Sequence, residues 1–323
     1  MGKKFWKNKK VLVTGHEGFI GSWLAKILIE EGACVVGCDL IHKRPKSILV
    51  GLHGSLISLK GDISDFTLVR KIINKHKPEV IFHLAAEAIV GRANKNPLKT
   101  FKSNIQGTWN ILEAARGERS KVKSLVIASS DKAYGFHEKL PYTEDAALKG
   151  NHPYDVSKSC TDLLANTYFN TYRLPVCVTR CGNVYGPGDL NFSRLVPDAI
   201  CSLLKKKRFV IRSDGKFTRD YIYVEDIVKG YMLIAEKMKS LNLPGEAFNF
   251  SNQEPMTVLK LFEQIVKTFG NKVAKPKILN KAKYEIRHQY LSAKKAKSLL
   301  GWKPEYNLRE GLQRTIDWYS RYV

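Results

Sequence analysis

The chain has 323 residues, and 44% of them are hydrophobic, so it is long and apolar enough to bury a sizeable core. No apolar stretch reaches the length of a membrane span. The basic start is followed by only three apolar residues, too short a run for a secretory signal. We therefore expect a soluble cytoplasmic protein that does not associate with a membrane.

The net charge of +24 comes from 54 Lys and Arg residues against 30 Asp and Glu residues. Such an excess favours an anionic partner, which would be a nucleic acid, a membrane surface or a small phosphorylated substrate. The basic residues are scattered apart from short clusters at residues 7–10 and 205–208, and no nucleic-acid-binding motif accompanies them. We favour a small phosphorylated substrate over nucleic acid.

The cysteine pattern argues against a metal site or a disulfide framework. No two of the six cysteines form a Cys-x-x-Cys pair, and several fall in predicted strands or helices. We expect buried, reduced thiols and no metal at Cys34, Cys38, Cys160, Cys177, Cys181 and Cys201.

The first predicted unit is a strand at residues 11–14, a glycine-rich turn, a helix at residues 22–31 and a second strand at residues 34–38 that ends at Asp39. Glycines in such a turn allow a tight bend, close approach to a pyrophosphate and close packing of helix on strand. The helix N-terminus then faces the negative charge. The residues expected at the pyrophosphate are Gly15, Gly18, Phe19, Ile20 and Gly21.

Asp39 predicts the kind of dinucleotide. A carboxylate at the end of the second strand accepts hydrogen bonds from a ribose diol and disfavours the extra phosphate of NADP. Strand, glycines, helix, strand and acid in this order form a much more specific signal than the glycines alone. We therefore predict that NAD is the cofactor.

Two later segments extend the predicted cofactor site. Asp62, with Ile63, follows an apolar segment; its carboxylate either bonds the adenine amino group or caps a helix at residues 66–75, and the sequence does not decide. A buried strand at residues 79–84 leads into small residues that leave room for a cofactor. This second set is Leu84, Ala85 and Ala86. His83, inside the apolar run, is interpreted as a core histidine with satisfied hydrogen bonds.

The next predicted elements carry reactive side chains. A helix opens at residue 96 and holds Asn104 among apolar residues, where a buried amide needs partners. A strand at residues 124–128 then leads into a cluster that consists of Ser130, Asp131 and Lys132. Strands and helices alternate up to this point, which predicts a parallel sheet covered on both faces.

A helix at residues 154–169 brings two more reactive groups. Tyr154 and Lys158 lie four residues apart, on one face and one turn from each other. A nearby ammonium is expected to lower the phenol pKa, so that the tyrosine can take a proton from a substrate hydroxyl. A single Tyr-x-x-x-Lys is also common on surfaces, and its significance comes from Ser130 one strand upstream.

Beyond a strand at residues 175–179 the alternation loosens, which predicts a second, smaller lobe. The predicted fold class is α/β, a Rossmann-type doubly wound parallel sheet with a smaller mixed α/β C-terminal domain. We assign residues 1–182 to dinucleotide binding and residues 183–323 to the substrate, with the chain returning to the first domain around residues 219–235. The later predicted elements are strands at 209–211, 219–224, 247–250 and 276–279, and helices at 192–204, 257–269, 294–300 and 308–319.

Together these features resemble the extended short-chain dehydrogenase/reductases that modify nucleotide sugars, over nearly the whole chain. The Asp-Lys pair after Ser130 is similar to the CDP-glucose 4,6-dehydratase branch, whereas epimerases typically have small or apolar residues there. The resemblance rests on Gly15-x-x-Gly18-x-x-Gly21, Asp39, Gly61-Asp62-Ile63, His83-Leu84-Ala85-Ala86, Ser130, Tyr154-x-x-x-Lys158, Arg180-x-x-Asn183-Val184-Tyr185-Gly186-Pro187 and Arg219-Asp220-Tyr221-Ile222-Tyr223-Val224.

The resemblance implies a role for each group. Tyr154, helped by Lys158, would deprotonate the sugar 4-hydroxyl that Ser130 holds, with NAD as oxidant; Tyr154 and Lys158 would also contact the cofactor. Asp131 would be the acid and Lys132 the base that remove water across C5 and C6. The product would be a 4-keto-6-deoxy sugar.

Binding of a nucleotide-diphosphate sugar is likewise implied, as is a homodimer. The candidates for the substrate pyrophosphate are Asn183, Arg219 and Arg287, and Arg194 is a fourth for which a surface role is as well supported.

Two other functions stay open. A nucleotide-sugar 4-epimerase or 4-dehydrogenase would use Ser130, Tyr154 and Lys158 and ignore Lys132. A protein of another class would bind NAD or RNA without catalysis, and the intact set of Ser130, Tyr154 and Lys158 argues against it.

Overall fold

A computed structural model describes residues 3–271, 274–281 and 286–322. The strands, in chain order, are β1 Lys10–Thr14, β2 Cys34–Asp39, β3 Ile57–Lys60, β4 Val80–His83, β5 Ser124–Ala128, β6 Val176–Cys181, β7 Asn183–Tyr185, β8 Val210–Ile211, β9 Thr218–Arg219, β10 Tyr221–Tyr223, β11 Ala247–Phe250, β12 Met256–Thr257, β13 Lys277–Ile278 and β14 His288–Gln289.

The α-helices are α1 Lys3–Trp6, α2 Phe19–Glu30, α3 Phe66–His76, α4 Val90–Lys95, α5 Pro97–Phe101, α6 Gly107–Arg116, α7 Pro153–Tyr172, α8 Leu195–Leu204, α9 Val224–Lys237, α10 Val258–Thr268, α11 Lys294–Leu300 and α12 Leu308–Tyr322. A π-helix spans Lys102–Gln106, and 3-10 helices span His53–Ser55 and Asp131–Tyr134.

Seven strands form one parallel sheet in the order β11-β6-β5-β4-β1-β2-β3. Successive side chains of a strand point to opposite faces, so these apolar strands supply two cores. Val80 and Phe82 pack with α2 and α9 on one face, and Ile81 packs with α3 and α6 on the other. The doubly wound parallel fold predicted from the alternation is confirmed.

The second half of the chain is divided between this sheet and a smaller lobe. Helices α8, α10 and α12 pack together with β8 and β10 in a third core. In contrast, β11 adds the seventh strand beside β6, while α9 and α11 cover one face of the sheet. The assignment of residues 1–182 and 183–323 to two functions stays a prediction. The chain returns to the sheet with α9, Val224–Lys237, and again with β11, Ala247–Phe250.

The structure moves some element boundaries for identifiable reasons. Helix α2 begins three residues earlier than predicted, because Gly18 is its N-cap. The strand expected at residues 219–224 is two short strands separated by Asp220, since β9 pairs with β12 and β14 whereas β10 pairs with β7. The helix from residue 96 is interrupted by the π-helix at Lys102–Gln106. Cys34 is exposed and Cys160 half-buried, so burial of every thiol was a wrong expectation.

No helix within the described ranges is both long enough and apolar enough to cross a membrane.

A buried ion pair joins α7 to the centre of the sheet. Asp162 Oδ1, on α7, accepts hydrogen bonds from Nε and Nη2 of Arg180, on β6, at 2.8 and 2.6 Å. Asp162 Oδ2 accepts another from the hydroxyl of Ser129, which follows β5. Arg180 Nη1 donates to the hydroxyl of Tyr134 at 2.7 Å, and this hydroxyl donates to Asn249 Oδ1 of β11 at 2.7 Å. The pair therefore connects β5, β6, α7 and β11.

Replacement of Asp162 by Asn should lower the free energy of unfolding by about 3 to 5 kcal/mol, because it leaves the guanidinium of Arg180 buried without its counter-charge. Urea denaturation measures the change. Glu30→Gln is the matched control, since it breaks the partly exposed Lys26–Glu30 pair and should cost no more than about 0.5 kcal/mol. Equal losses for the two variants would contradict a structural role for the buried pair.

Candidate active site

In the glycine turn between β1 and α2, backbone segments approach each other too closely to leave room for side chains. Gly15 has a φ of +76°, and a Cβ there would lie 2.7 Å from the backbone nitrogen of Ala85. A Cβ on Gly21 would lie 2.0 Å from the carbonyl oxygen of Gly15. Neither position tolerates a side chain, so the helix N-terminus opens directly onto the turn at the carboxyl end of β1.

Asp39 lies beside this turn at the end of β2. Its Oδ2 accepts a hydrogen bond from the backbone of Glu17 at 3.1 Å, and its Oδ1 accepts one from the backbone of Ile41 at 3.0 Å. Glu17 is itself buried; its carboxylate contacts His53 Nε2 at 2.9 Å and accepts from the backbone of Arg44 at 3.1 Å. Glu17 thus ties the loop after β2 to the glycine turn, and no sequence pattern indicated this.

Asp62 lies in the turn after β3, where its Oδ1 accepts a hydrogen bond from the backbone of Ser64 at 2.8 Å. The N-cap of α3 is a different residue, Asp65, which accepts from the backbone of Leu68 at 3.1 Å. Of the two roles open for Asp62, capping is therefore excluded. Ile63 is buried, and its carbonyl accepts from Asn110 Nδ2 at 2.9 Å.

His83, at the end of β4, is a core histidine as expected. Its Nδ1 contacts the hydroxyl of Thr14 at 2.8 Å, and its Nε2 contacts that of Thr108 at 3.1 Å. Burial, with a smaller effect from Lys158, lowers the pKa of His83 to about 3, so the ring is neutral. Leu84, Ala85 and Ala86 follow directly and are half-buried.

Asn104 is fully satisfied in the π-helix. Its Oδ1 accepts from the backbone of Glu87 at 2.7 Å, and its Nδ2 donates to the carbonyl of Glu87 at 3.1 Å and to the hydroxyl of Ser157 at 2.9 Å. The partners expected for a buried amide are present, and they join the π-helix to α7.

Ser130, Asp131 and Lys132 form the start of a 3-10 turn at the carboxyl end of β5. The hydroxyl of Ser130 accepts from the backbone of Lys132 at 3.2 Å and donates to Asp131 Oδ1 at 3.1 Å. Asp131 is 5% exposed. Burial raises the pKa of Asp131, and the nearby charges of Lys132 and Arg219 only partly oppose that effect.

Tyr154 and Lys158 lie on the first two turns of α7, and both are buried. Lys158 Nζ donates to the carbonyl of Ala128 at 2.7 Å, and burial lowers the pKa of Lys158 to about 8. Burial raises the pKa of Tyr154 to about 12, although a hydrogen bond with Ser130 opposes it. The expected depression of the Tyr154 pKa is therefore wrong for this structure, because desolvation outweighs the Ser130 hydrogen bond and the charge of Arg194, which both lower this pKa.

Lys132 has a partner that the sequence did not indicate. Its Nζ donates to Oε1 of Gln289, on β14, at 2.5 Å. Nε2 of the same amide donates to the carbonyl of Asp131 at 3.0 Å. A residue 157 positions further along the chain therefore contacts both members of the Asp-Lys pair.

Arg219 and Asn183 lie on two short strands of different sheets, β9 and β7. Arg219 is buried on β9, where its Nη1 donates to the carbonyls of Thr218 and Arg287 at 2.9 and 3.0 Å. Asn183 is exposed at the start of β7, and its Nδ2 donates to the carbonyl of Asp220 at 3.3 Å.

The other two candidate cations are paired with acids. Arg287 has a side chain that is 66% exposed, and its Nη2 contacts Asp214 at 2.6 Å. Arg194 Nη1 contacts Asp189 at 3.0 Å, while its charge is close enough to lower the pKa of Tyr154. The charges of Arg219 and Arg194 thus both act on the reactive cluster, on Asp131 and Tyr154 respectively, whereas Arg287 lies at the surface.

Comparison with known proteins gives matches over almost the full length. The profile of a family described as GDP-mannose 4,6-dehydratase matches residues 12–315. A CDP-glucose 4,6-dehydratase of Salmonella typhimurium is 32% identical over 336 residues, which cover 99% of this chain and 93% of that protein.

Solved structures of two enzyme types superpose on the chain. A UDP-glucose 4-epimerase of Thermotoga maritima with UDP-glucose has a TM-score of 0.88 and 30% identity, covering 97% of this chain and 99% of that one. A dTDP-glucose 4,6-dehydratase of Bacillus anthracis in complex with NAD has a TM-score of 0.86 and 28% identity, covering 97% of both. With its glycine turn, parallel sheet and Ser-Tyr-Lys set, the chain belongs to the GDP-mannose 4,6-dehydratase family of extended short-chain dehydrogenase/reductases.

Proposed function

We propose that the protein is an NAD-dependent nucleotide-sugar 4,6-dehydratase that converts a CDP-glucose-like substrate into a 4-keto-6-deoxy sugar. The observation that carries the proposal is the buried acid Asp131, which follows Ser130 and precedes Lys132 on one turn beside Tyr154. Oxidation of a hydroxyl needs only Ser130, Tyr154 and Lys158. The added acid and amine are what the removal of water requires.

The residues at the glycine turn fit a dinucleotide. The backbone approach at Gly15 and Gly21, where a Cβ would collide with the neighbouring backbone, suits a pyrophosphate. When bound, NAD supplies the hydride acceptor for C4 and the hydride donor for C6. The residues that would hold it are Gly15, Gly18, Phe19, Ile20, Gly21, Asp39, Asp62, Ile63, Leu84, Ala85, Ala86, Tyr154 and Lys158.

In the first step Tyr154 takes the proton of the sugar 4-hydroxyl, and Ser130 holds the same oxygen. Burial raises the pKa of Tyr154 to about 12, so ionisation of this phenol needs a nearby cation. Lys158 lies one turn away with a pKa of about 8, and it is therefore mainly protonated at neutral pH. In its protonated form Lys158 stabilises the phenolate of Tyr154.

In the second step water leaves across C5 and C6. The 4-ketone acidifies the proton on C5, and Lys132 takes that proton while Asp131 protonates the departing 6-hydroxyl. The raised pKa of Asp131 favours the protonated form that this role needs. Lys132 acts as a base only in its neutral form. Bound NAD would return its hydride to C6, so that the reaction would consume no NAD overall.

The substrate pyrophosphate is assigned to Arg219 and Asn183, with Arg287 as a third ligand. A guanidinium offers a bidentate fork to phosphate oxygens, and the Asn183 amide adds a donor. Arg219 is buried close to Asp131, which supports a phosphate position near the reactive cluster.

A homodimer is the proposed assembly. Helices α5 and α6 both pack on α7, and the three carry exposed apolar side chains; an apolar patch at the surface is typical of an interaction site. They are Leu98, Trp109, Leu163 and Tyr172.

A second candidate function is a nucleotide-sugar 4-epimerase, which the similarity to the Thermotoga maritima structure favours. The two differ in product, because only a dehydratase yields a 4-keto-6-deoxy sugar. Incubation with NAD and a panel of CDP-, dTDP-, UDP- and GDP-sugars, followed by NMR of the products, distinguishes them. A non-catalytic NAD- or RNA-binding protein would give no product from any of these sugars.

Replacement of Tyr154 by Phe should lower turnover by at least about 100-fold, because the 4-hydroxyl loses its proton acceptor. The measurement is transient NADH absorbance together with product formation. Tyr168→Phe on the same helix removes a hydroxyl that contacts Glu113, remote from the reactive cluster, and should leave turnover unchanged. Full activity of the Tyr154 variant would remove this residue from the mechanism.

The variants Lys132→Met and Asp131→Asn should each retain C4 oxidation, whereas the rate of water removal should fall by about 100-fold or more. Deuterium exchange at C5 should fail in the Lys132 variant and persist better in the Asp131 variant, because only the amine contacts that proton. Lys123→Met, at an exposed residue paired with Glu79, serves as the control. If both variants dehydrate at the parent rate, the dehydratase assignment is lost.

Replacement of Arg219 by Met should raise KM by about 10-fold or more, since one charged contact to the substrate phosphate is lost. Arg287→Met should raise KM less, because Arg287 is largely exposed and already bound to Asp214. Steady-state kinetics test the order of the two effects, and a larger effect at Arg287 would reverse the assignment.

A further inference from the structure

Gln289 is a fully buried amide in the reactive cluster for which sequence motifs indicated no role. Resting on the proposed function, we propose that Gln289 is a positioning residue for the water-removing step: it orients Lys132 toward C5 of the sugar and couples that orientation to the strand that carries Arg219.

The geometry allows only one orientation of the Gln289 amide. Its oxygen accepts from Lys132 Nζ at 2.5 Å, and its nitrogen donates to the carbonyl of Asp131 at 3.0 Å. An exchange of the two atoms would place the NH2 group against the lysine nitrogen and the oxygen against a carbonyl. The amide therefore fixes the lysine side chain against the backbone of the neighbouring acid.

The backbone of Gln289 is held by its surroundings. In the ladder of β14 and β9, Gln289 is the register partner of Arg219. Two residues on, the backbone of Leu291 donates to Asp220 Oδ2 at 2.7 Å, and the carbonyl of Tyr290 accepts from the backbone of Tyr142 at 3.0 Å. A substrate phosphate bound to Arg219 would therefore contact the same strand pair that holds Gln289.

A neutral amide suits a lysine that must act as a base. The base must be in its neutral form, with its lone pair facing C5. The Gln289 oxygen accepts one N–H and so restricts the direction of the lone pair, without adding a negative charge that would favour the ammonium. A carboxylate at this position would hold the same geometry and stabilise the wrong protonation state.

Other charged groups also face Lys132 and bear on its protonation. Asp131 adjoins it on the same turn, and Asp155 on α7 is close enough for the lysine charge to act on it. Arg219 on β9 is close enough for its charge to act on Asp131. Variants of Gln289 leave all of these charges in place, so a change in pH dependence can be assigned to position 289.

The test compares Gln289→Glu and Gln289→Met in the full-length protein. Both should retain C4 oxidation within about twofold, measured as NADH in a single turnover, because the Gln289 amide hydrogen-bonds to Lys132 and to the backbone of Asp131 and not to the oxidising set. Water removal at pH 7 should fall by about 10- to 100-fold in both, the effect of a misplaced or wrongly protonated base.

The pH profile of water removal separates orientation from charge. In Gln289→Glu the rising limb should move to higher pH by about one to two units, so that activity recovers in alkali. In Gln289→Met the rate should fall at all pH values without such recovery. Gln313→Glu, the same chemical change at an exposed residue of α12 that contacts Asp317, should alter neither rate nor profile.

Two outcomes would overturn the inference while leaving the proposed function intact: unchanged water removal in both variants, or equal losses of oxidation and water removal that follow a lower melting temperature. If the parent protein removes water from none of the nucleotide sugars, the proposed function itself fails. Parent activity therefore distinguishes the two failures.

Discussion

The ion pair between Asp162 and Arg180 holds together the two halves of the reactive cluster. Ser130, Asp131 and Lys132 follow β5, whereas Tyr154 and Lys158 lie on α7. Asp162 lies on α7 with the second half; it accepts a hydrogen bond from Ser129, which precedes the first half, and it pairs with Arg180 of β6. A parallel sheet brings the ends of β5 and β6 to one edge, but the seating of α7 on that edge depends on these buried bonds. The distance between the Ser130 hydroxyl and the Tyr154 phenol follows from that seating.

Burial sets the protonation of the cluster more strongly than neighbouring charge does. Desolvation is the largest effect on Asp131, Tyr154 and Lys158, and it favours the uncharged form of each. For Asp131 this is the form of a proton donor. For Tyr154 it is a cost that Lys158 and bound ligands must offset. The same desolvation thus favours the protonated acid of Asp131, whereas the phenolate of Tyr154 needs a nearby positive charge.

The interleaving of the chain connects the sheet to the smaller lobe. Strand β11 completes the sheet, while β14, a short distance further along the chain, pairs with β9 and brings Gln289 onto Lys132. Arg219 of β9 lies in the same ladder. Arg219, assigned to the nucleotide sugar, and Gln289, which contacts Lys132, are therefore attached to one strand pair, and this favours coupling between binding and catalysis.

Residue patterns determined the alternating strands and helices, the glycine turn, Asp39, the Ser130 cluster and the Tyr-x-x-x-Lys pair, because each depends on local spacing. The family follows from the same motifs. Only the tertiary structure decided that Asp65 caps α3 instead of Asp62 and that the pKa of Tyr154 is raised. It also decided that Glu17 contacts Asp39 and that Gln289 contacts Lys132. These outcomes depend on desolvation and on contacts between residues far apart in the chain, and neither is encoded in a local pattern.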